Sequence, residues 1–350
     1  MVPRALPGLS LLAAVAVVAA TLVAAPAQAG GYPTPRKIAS RSVVFDLYNV
    51  NNTPAGCTPD RQKYQVRGRL VGPRQMVNGH GGPRRFNVLV HDAGTGGWFW
   101  TLPGHPTLNY ARQLARQGET SLVIDRLGYD ASPLADGRRT CLGAQATMLH
   151  EVVQKLYSGT YAYTSGPGVP PHAARVVVHG HGTGAAIAQL EAAHWDDTHG
   201  LVLMSWSAGD ASPTAAAESR RQAAACRRGG YAPFGVDDAA YRSLLFAAAP
   251  AAVQRAASAR RNPTPCGDVS TLAATTLATA YGAGKVKVPT LRLLGARDAL
   301  VRGRAAQGGK GFARGTSVTT RVVAGAGSAL PLEPSAPATR AAVLAWLRSR

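Results

Sequence analysis

One stretch of the chain has the spacing of a turn that presents a catalytic nucleophile. Residues 176–185 read Val-Val-Val-His-Gly-His-Gly-Thr-Gly-Ala, and small residues typical of a tightly packed helix follow. In a Gly-x-Ser-x-Gly turn, small flanking residues let a strand turn sharply into a helix, which holds the central serine exposed for attack on a carbonyl. The central position here is Gly182. The pattern therefore predicts the turn without its nucleophile.

The histidines beside this turn offer a second chemistry. His179 and His181 alternate along the predicted strand, so both side chains can point to one side, and His91 with Asp92 could complete a metal site. The donor pattern of known zinc motifs is absent, however. We therefore expect neither a metal site nor a cofactor.

Short apolar segments typical of buried strands alternate with segments whose apolar residues recur at helical spacing. This alternation predicts a mostly parallel sheet covered by helices on both faces, with binding residues at the carboxyl ends of the strands. Residues 207–284 differ, because they are rich in alanine and helical in pattern, and we expect them to form an inserted cap. Strands are expected at 43–50, 64–71, 86–91, 121–125, 175–179, 201–204, 289–294 and 318–323, and helices at 109–117, 142–157, 183–195 and 336–348.

Five motifs, in order along nearly the whole chain after residue 30, resemble those of the α/β-hydrolase superfamily. The oxyanion loop corresponds to 88–94, the turn after the next strand to 125–132 and the nucleophile turn to 180–184. The strand that carries the catalytic acid corresponds to 289–298, and the loop that carries the base corresponds to 325–334. The resemblance implies an α/β-hydrolase fold with a mostly parallel, eight-stranded sheet, flanking helices and an inserted helical cap.

The same resemblance implies that the catalytic triad is incomplete. A triad needs a hydroxyl, an imidazole that takes its proton and a carboxylate that orients the imidazole. By position Gly182 replaces the serine, Ser328 replaces the histidine, and only Asp298 keeps its residue type. No histidine follows His199, so a shifted alignment cannot supply the base. His181 precedes the nucleophile position, where the family commonly has a structural histidine.

The oxyanion site also departs from the family pattern. The backbone N–H groups of Ala93 and Thr183 stand where an oxyanion hole is expected. Asp92 replaces the usual glycine, and its carboxylate would oppose negative charge there if it faces inward. We expect Trp98, together with Phe99 and Trp100, to line the cleft.

The N-terminal segment has the pattern of a Sec-type signal peptide. Arg4 precedes an apolar run from Leu9 to Ala25, and Ala27-Gln28-Ala29 fits a small-x-small cleavage site. Residues 1–29 are thus predicted to be removed and residues 30–350 to be secreted as one domain. An uncleaved membrane anchor is the alternative. We expect no membrane span after cleavage.

Four cysteines in an exported chain indicate disulfides, and four cysteines allow three pairings. Cys226 and Cys266 flank the predicted cap, whereas Cys57 and Cys141 lie earlier in the chain. We favour the pairs Cys57–Cys141 and Cys226–Cys266.

The formal charge is +20, from 38 Lys and Arg against 18 Asp and Glu. Arginine dominates the basic residues beside abundant alanine and glycine, a pattern typical of compositional bias. Neither a long basic block nor interleaved aromatic residues mark a nucleic-acid site. We expect weak attraction to anionic surfaces but no specific nucleic-acid binding.

These observations favour a secreted, monomeric pseudo-hydrolase that binds a small molecule or a partner protein in its former active-site cleft. The alternative is an active ester or amide hydrolase, or a non-hydrolytic lyase, that uses a non-standard residue set around Asp298 and His181. A third hypothesis, electrostatic binding of an anionic polymer, depends on the net charge alone.

Overall fold

A nine-stranded sheet forms the centre of the described chain, which in this computed structural model comprises residues 1–2, 37–82, 84–302 and 312–350. Its strands are β1 (Ile38–Tyr48), β2 (Lys63–Pro73), β3 (Arg84–Val90), β4 (Thr120–Ile124), β5 (Ala162–Tyr163), β6 (Ala173–His181), β7 (Gly200–Met204), β10 (Thr290–Gly295) and β11 (Val318–Val323); β8 (Tyr231–Pro233) and β9 (Pro263–Pro265) form a separate pair. The helices are α1 (Arg74–Val77), α2 (Tyr110–Arg116), α3 (Leu142–Ser158), α4 (Thr183–His194), α5 (Pro213–Cys226), α6 (Asp238–Leu245), α7 (Ala251–Ser258), α8 (Cys266–Gly282) and α9 (Ala336–Arg348).

The strands lie in the order β11-β10-β7-β6-β3-β4-β2-β1-β5. The six strands from β11 to β4 are parallel, and β2, β1 and β5 continue the sheet antiparallel. The mostly parallel sheet and its flanking helices are confirmed, with nine strands instead of eight. The additional strand is β5, whose two residues pair with Val43 and Val44 of β1. A two-residue strand is too short to leave a hydrophobic pattern.

Helices cover both faces of the sheet, as the sequence of β6 illustrates. Val176 and Val178 belong to the hydrophobic cluster that contains residues of α3 and α4, whereas Val177 belongs to the cluster that contains residues of α2 and α9. Side chains of a strand alternate between faces, so an unbroken run of β-branched residues is buried on both. Because the six strands from β11 to β4 run parallel, their carboxyl ends all lie at one edge of the sheet.

The segment predicted as the helical cap, 207–284, contains α5 to α8 between β7 and β10. The short antiparallel pair β8–β9 within it was not predicted, because Pro263 and Pro265 lie in β9 and proline disfavours regular strands. The pair brings the end of α5 and the start of α8 together.

Both favoured disulfides are confirmed. Cys57–Cys141 joins the segment after β1 to the start of α3, and Cys226–Cys266 joins α5 to α8. Two disulfides are compatible with an oxidising compartment. The predicted signal peptide lies outside the described residues, except for Met1 and Val2. Among the described residues, no helix combines the length and apolar character needed to cross a membrane.

Removing the Cys57–Cys141 disulfide is expected to lower the free energy of unfolding by about 2–4 kcal/mol. The bond closes a loop with a sequence separation of 84, so its loss frees the unfolded chain. Chemical denaturation of a Cys57→Ser/Cys141→Ser variant at neutral pH measures the effect. An unfolding free energy equal to that of the wild type would contradict the expectation.

Candidate functional site

The turn between β6 and α4 has the conformation of a nucleophile turn. Gly182 adopts φ 52° and ψ −120°, a left-handed backbone that favours glycine, and its N–H donates to the carbonyl of Met204 at 3.0 Å. A Cβ on Gly184 would meet the backbone carbonyls of Val90 and His91, so the helix can approach β3 closely only with glycine there. The turn thus places position 182 at the carboxyl edge of the sheet.

The carboxylate of Asp92 occupies the predicted oxyanion hole. The backbone N–H groups of Ala93 and Thr183 both donate to Asp92 Oδ1 at 2.7 Å, and the Thr183 hydroxyl donates to the same oxygen at 2.8 Å. Productive oxyanion donors lie about 2.7–3.1 Å from the oxygen that they stabilise. The hole is therefore formed, and an oxygen of the protein itself fills it.

The same carboxylate blocks the nucleophile position. A Cβ built on Gly182 would overlap Oδ1, Oδ2 and Cγ of Asp92. The glycine and the inward-facing carboxylate therefore depend on each other: a side chain at 182 requires Asp92 to leave.

Asp298, at the expected acid position after β10, has a serine instead of a histidine as its partner. The Ser205 hydroxyl donates to Asp298 Oδ2 at 2.5 Å, and the N–H groups of Leu300 and Val301 donate to Oδ1 at 2.8 and 3.2 Å. Burial raises the pKa of Asp298, and these hydrogen bonds partly offset that effect. The sequence suggested no partner for Ser205, although its position directly after β7 placed it at this edge.

Ser328 and His181 continue this chain of hydrogen bonds. Ser328 Oγ lies 2.7 Å from Ser205 Oγ, and the Ser328 carbonyl lies 2.9 Å from His181 Nε2. The His181 ring stacks on Phe99 at a centroid distance of 4.4 Å. Its Nδ1 lies 3.9 Å from Asp92 Oδ2, too far for a hydrogen bond. Ser328 Oγ also lies 3.3 Å from His181 Nε2, but that nitrogen must carry a hydrogen to donate to the Ser328 carbonyl, so it cannot take the hydroxyl proton. Positions 182, 298 and 328 therefore meet in space without forming a nucleophile–base pair.

The other two histidines weighed as metal ligands have structural partners. His179 contacts the Tyr110 hydroxyl at 3.0 Å and Asn87 Oδ1 at 3.1 Å, and His91 Nε2 accepts from the N–H of Arg126 at 3.1 Å. Burial lowers the pKa of His179 to about 3 and the pKa of His91 well below its ordinary value. Both rings are therefore neutral and fix neighbouring segments in place.

A cavity of about 510 Å³ opens above Asp92 and Gly182, between α5 and α8. Its walls are largely apolar, apart from the Glu218 carboxylate, which pairs with Arg221, and hydroxyl groups lie near its base. The lining residues include Ala93, Thr183, Ser205, Trp206, Ser207, Ala215, Ala216, Gln222, Phe234, Leu272, Ala273, Thr276, Leu277, Leu300 and Val301. The Cys226–Cys266 disulfide joins the two wall helices. The space suits a small, mostly apolar molecule.

The expectation that Trp98, Phe99 and Trp100 line this cleft is wrong. The 3₁₀-helical turn Gly97–Trp100 carries Trp98 to a different cavity of about 850 Å³, buries Trp100 completely and places Phe99 against His181. Aromatic residues next to a loop predict proximity to a cleft, but they do not specify which side of the loop each ring takes.

Asp125, in the second cavity, is expected to make stability depend on pH. Burial, together with the nearby Asp130 carboxylate, raises the pKa of Asp125 to about 6. The stabilisation associated with its protonated form is complete below about pH 4 and is lost as the pH rises through 6. Asp125→Asn should therefore unfold with a free energy about 2 kcal/mol above wild type at pH 8, with little difference at pH 4.

Urea denaturation at both pH values tests this expectation. Asparagine can still accept the hydrogen bond that Gly97 N–H donates to Asp125 Oδ1 at 2.8 Å, so the substitution mainly removes charge. A variant whose stability changes with pH in the same way as the wild type would refute the assignment.

Sequence comparison matches residues 88–343 to the alpha/beta hydrolase family. Similar solved structures include an esterase from Thermogutta terrifontis (TM-score 0.59, 19% identity, covering 87% of this chain and 98% of that one) and a monoacylglycerol lipase from Paleococcus ferrophilus (0.58, 19%, 77% and 96%). A hydrolase from Pseudomonas aeruginosa is also similar (0.56, 20%, 81% and 95%). No curated protein matches the sequence. At these identities the structural matches show a shared fold.

Proposed function

The chain belongs to the alpha/beta hydrolase family, and on that premise we propose that it is a secreted, catalytically inactive member that binds a small, largely apolar ligand in the former active-site cleft. The observation that carries this proposal is the Asp92 carboxylate, which fills both the oxyanion hole and the space of the nucleophile side chain.

Three separate requirements of serine hydrolysis are unmet. Position 182 has no hydroxyl, position 328 has no imidazole, and a carboxylate stands where a negative oxygen would have to be stabilised. In serine hydrolases, loss of triad members lowers the rate by factors of about 10⁴ or more, and loss of one oxyanion donor lowers it by about 10²–10³. Hydrolysis by the usual route is not expected to exceed the background reaction.

The cavity supports a binding role with a particular polarity. Asp92 Oδ1 already accepts three hydrogen bonds, but Oδ2 accepts none from the described residues. A hydrogen-bond donor or a cationic group therefore complements the base of the cavity, whereas a carboxylate opposes it. The apolar walls formed by α5 and α8 suit an alkyl or ring portion.

Binding of primary alkylamines and of alkyl carboxylates with the same chain length tests this polarity. The fluorescence of Trp206, which lines the cavity, can report binding. We expect the amine to bind at least about tenfold more tightly at pH 7.5, a difference of about 1.4 kcal/mol. Asp92→Asn should remove most of the preference, and Ala215→Phe, which narrows the cavity, should weaken both ligands.

If the wild type, like Asp92→Asn, bound the amine and the carboxylate with equal affinity, a polar role for Asp92 would be contradicted. Binding that is unaffected by Ala215→Phe would place the ligand outside the cavity. Either result would leave a partner protein as the better candidate occupant of the cleft.

A second candidate function, an enzyme with a non-standard residue set, is supported by one observation. The Asp92 carboxylate lies where a nucleophile would lie, and the contacts from His181 through Ser328 and Ser205 to Asp298 connect that region to a buried acid. Three donors on Oδ1 and the 3.9 Å gap to His181 both disfavour this role. Turnover of any ester or amide that Asp92→Asn abolishes, while the fold is retained, would establish it.

Secretion is part of the proposal and depends on the signal-peptide pattern at residues 1–29. The two disulfides support an oxidising destination. N-terminal sequencing of the protein exported by a bacterial host should give Gly30 as the first residue. An intact N-terminus would favour the alternative of an anchored protein.

A further inference from the structure

Three polar side chains converge at the end of α4 that lies away from the cleft. His150 comes from α3, Glu191 from the last turn of α4, and Asp197 from the loop before β7. Their potential ligand atoms all lie within 4.8 Å of one another. Eight residues separate Thr183 from Glu191 along the helix, about 12 Å, so this His150–Glu191–Asp197 cluster is distinct from the cleft.

Three carboxylate oxygens of the cluster are buried without a hydrogen-bond donor among the described residues. Glu191 is 0% exposed, and neither of its carboxylate oxygens accepts a hydrogen bond from a described residue. Asp197 Oδ1 is also buried and has no donor among the described residues, unless Glu191 carries a proton and donates it to Asp197. An unpaired carboxylate in such surroundings is costly to bury, so the site requires either a proton or a cation.

Charge in the cluster is strongly unbalanced. Apart from the imidazole of His150, whose Nδ1 lies 2.7 Å from Asp197 Oδ2, no basic side chain in the described ranges forms an ion pair with Glu191 or Asp197. Glu191 also lies at the carboxyl end of α4, where the helix dipole disfavours negative charge. Two carboxylates thus share one imidazole.

Neighbouring residues hold two of the three side chains in position. Gln154 Nε2 donates to Asp197 Oδ2 at 2.6 Å, and the Tyr157 hydroxyl donates to the Asp197 carbonyl at 2.5 Å. The His150 ring stacks on Trp195 with a centroid distance of 4.3 Å and an interplanar angle of 8°. Supporting contacts of this kind orient the ligands of metal sites.

From this geometry we infer that His150, Glu191 and Asp197 bind a divalent transition-metal ion of the Zn²⁺ class. One imidazole nitrogen and two carboxylates form a ligand set that zinc accepts, with water available as a fourth ligand. Ca²⁺ and Mg²⁺ prefer all-oxygen sites, so the imidazole selects against them. The ion links α3, α4 and the β7 loop, and its role is independent of the function proposed for the cleft.

This site was not predicted from the sequence, which singled out other histidines and led us to expect no metal. His150 and Glu191 lie far apart in the chain, and neither belongs to a motif with metal-ligand spacing. Only the packing of α3 against α4 brings them together.

Metal binding by the untagged protein, purified as its expression host exports it, tests the inference. After treatment with EDTA and addition of Zn²⁺, we expect about one zinc per chain to remain through gel filtration. Saturating Zn²⁺ should raise the Tm by about 5 °C or more, whereas Mg²⁺ and Ca²⁺ should not. Co²⁺ should give the visible absorption of a protein-bound ion.

Substitution of each of the three proposed ligands tests whether zinc binds at this cluster. Each of three substitutions should abolish both the retained zinc and the Tm shift: Glu191→Gln, His150→Gln and Asp197→Asn. His150 and Asp197 are partly exposed, so their substitution is less prone to cause misfolding. Asp196→Asn, at a neighbouring carboxylate whose side chain is 77% exposed, is the matched control and should bind zinc like wild type. Zinc that leaves the wild-type Tm unchanged, or that is retained equally by the three variants, would overturn the inference. In the first case a shared proton occupies the cluster.

Discussion

Replacing Asp92 by glycine, Gly182 by serine and Ser328 by histidine in one chain is expected to create ester hydrolysis. The Gly182→Ser/Ser328→His double variant, which keeps Asp92, is expected to remain at the background rate. The two outcomes differ because the Asp92 carboxylate overlaps any side chain at 182 and fills the hole formed by the N–H groups of Ala93 and Thr183.

The expected difference between the triple and the double variant is at least about 10²-fold in kcat/KM, since one oxyanion donor alone contributes about 10²–10³ in rate. The new imidazole would lie beside Ser205, whose hydroxyl is now hydrogen-bonded to Asp298 at 2.5 Å. A further Ser205→Ala substitution should therefore raise the activity of the triple variant, because it leaves Asp298 free to orient the imidazole.

Hydrolysis of nitrophenyl esters of short and medium chain length measures these activities. Thermal unfolding of each variant provides the control, since a new side chain in a packed site can cost about 1–3 kcal/mol. Equal activity above background in the folded double and triple variants would show that Asp92 does not block the site. Inactivity of the folded triple variant would count against the assigned register of the triad positions.

Asp268→Asn is expected to lower the free energy of unfolding by about 3–5 kcal/mol. Asp268, on α8, accepts from Arg126 Nη1 at 2.8 Å and from the Tyr129 hydroxyl at 3.2 Å. The side chains of Arg126 and Asp268 are 3% and 2% exposed. Loss of one partner leaves a buried, uncompensated charge, which is far more costly than loss of an exposed pair.

Guanidinium denaturation at pH 7 measures this effect, and Asp46→Asn is the matched control. Asp46 pairs with Lys63 at 3.1 Å, with both side chains about half exposed, so its substitution should change stability by at most about 1 kcal/mol. Similar changes in the two variants would contradict the importance of burial. Because the buried pair attaches α8 to the turn after β4, we also expect Asp268→Asn to weaken ligand binding in the cavity.

Sequence patterns were sufficient to predict the main sheet and the two disulfides. Uninterrupted β-branched runs such as 176–178 are buried on both sides of a parallel sheet, and the glycines at 180, 182 and 184 permit the tight turn that follows. Strands β5, β8 and β9 were missed, because two or three residues give no measurable period. Such short strands form because the tertiary fold places a pairing partner beside them.

The candidate site was predicted in position but not in its contacts. Motif order placed Gly182, Asp298 and Ser328 at one edge, and the structure brings these positions together. The direction of the Asp92 side chain, the pairing of Ser205 with Asp298 and the turn of Trp98 away from the cleft depend on rotamers and loop packing. Sequence spacing does not determine these features.

Whether the cleft is catalytically inactive is tested by ester turnover of the unmodified protein, measured beside Asp92→Asn and Asp298→Asn, with a fluorophosphonate to label any activated serine. If the Asp92 carboxylate closes the oxyanion hole and no nucleophile–base pair exists, all three proteins should show only the buffer rate and no labelling. Turnover or labelling of the wild type that either substitution abolishes would show that the cleft still contains an active site.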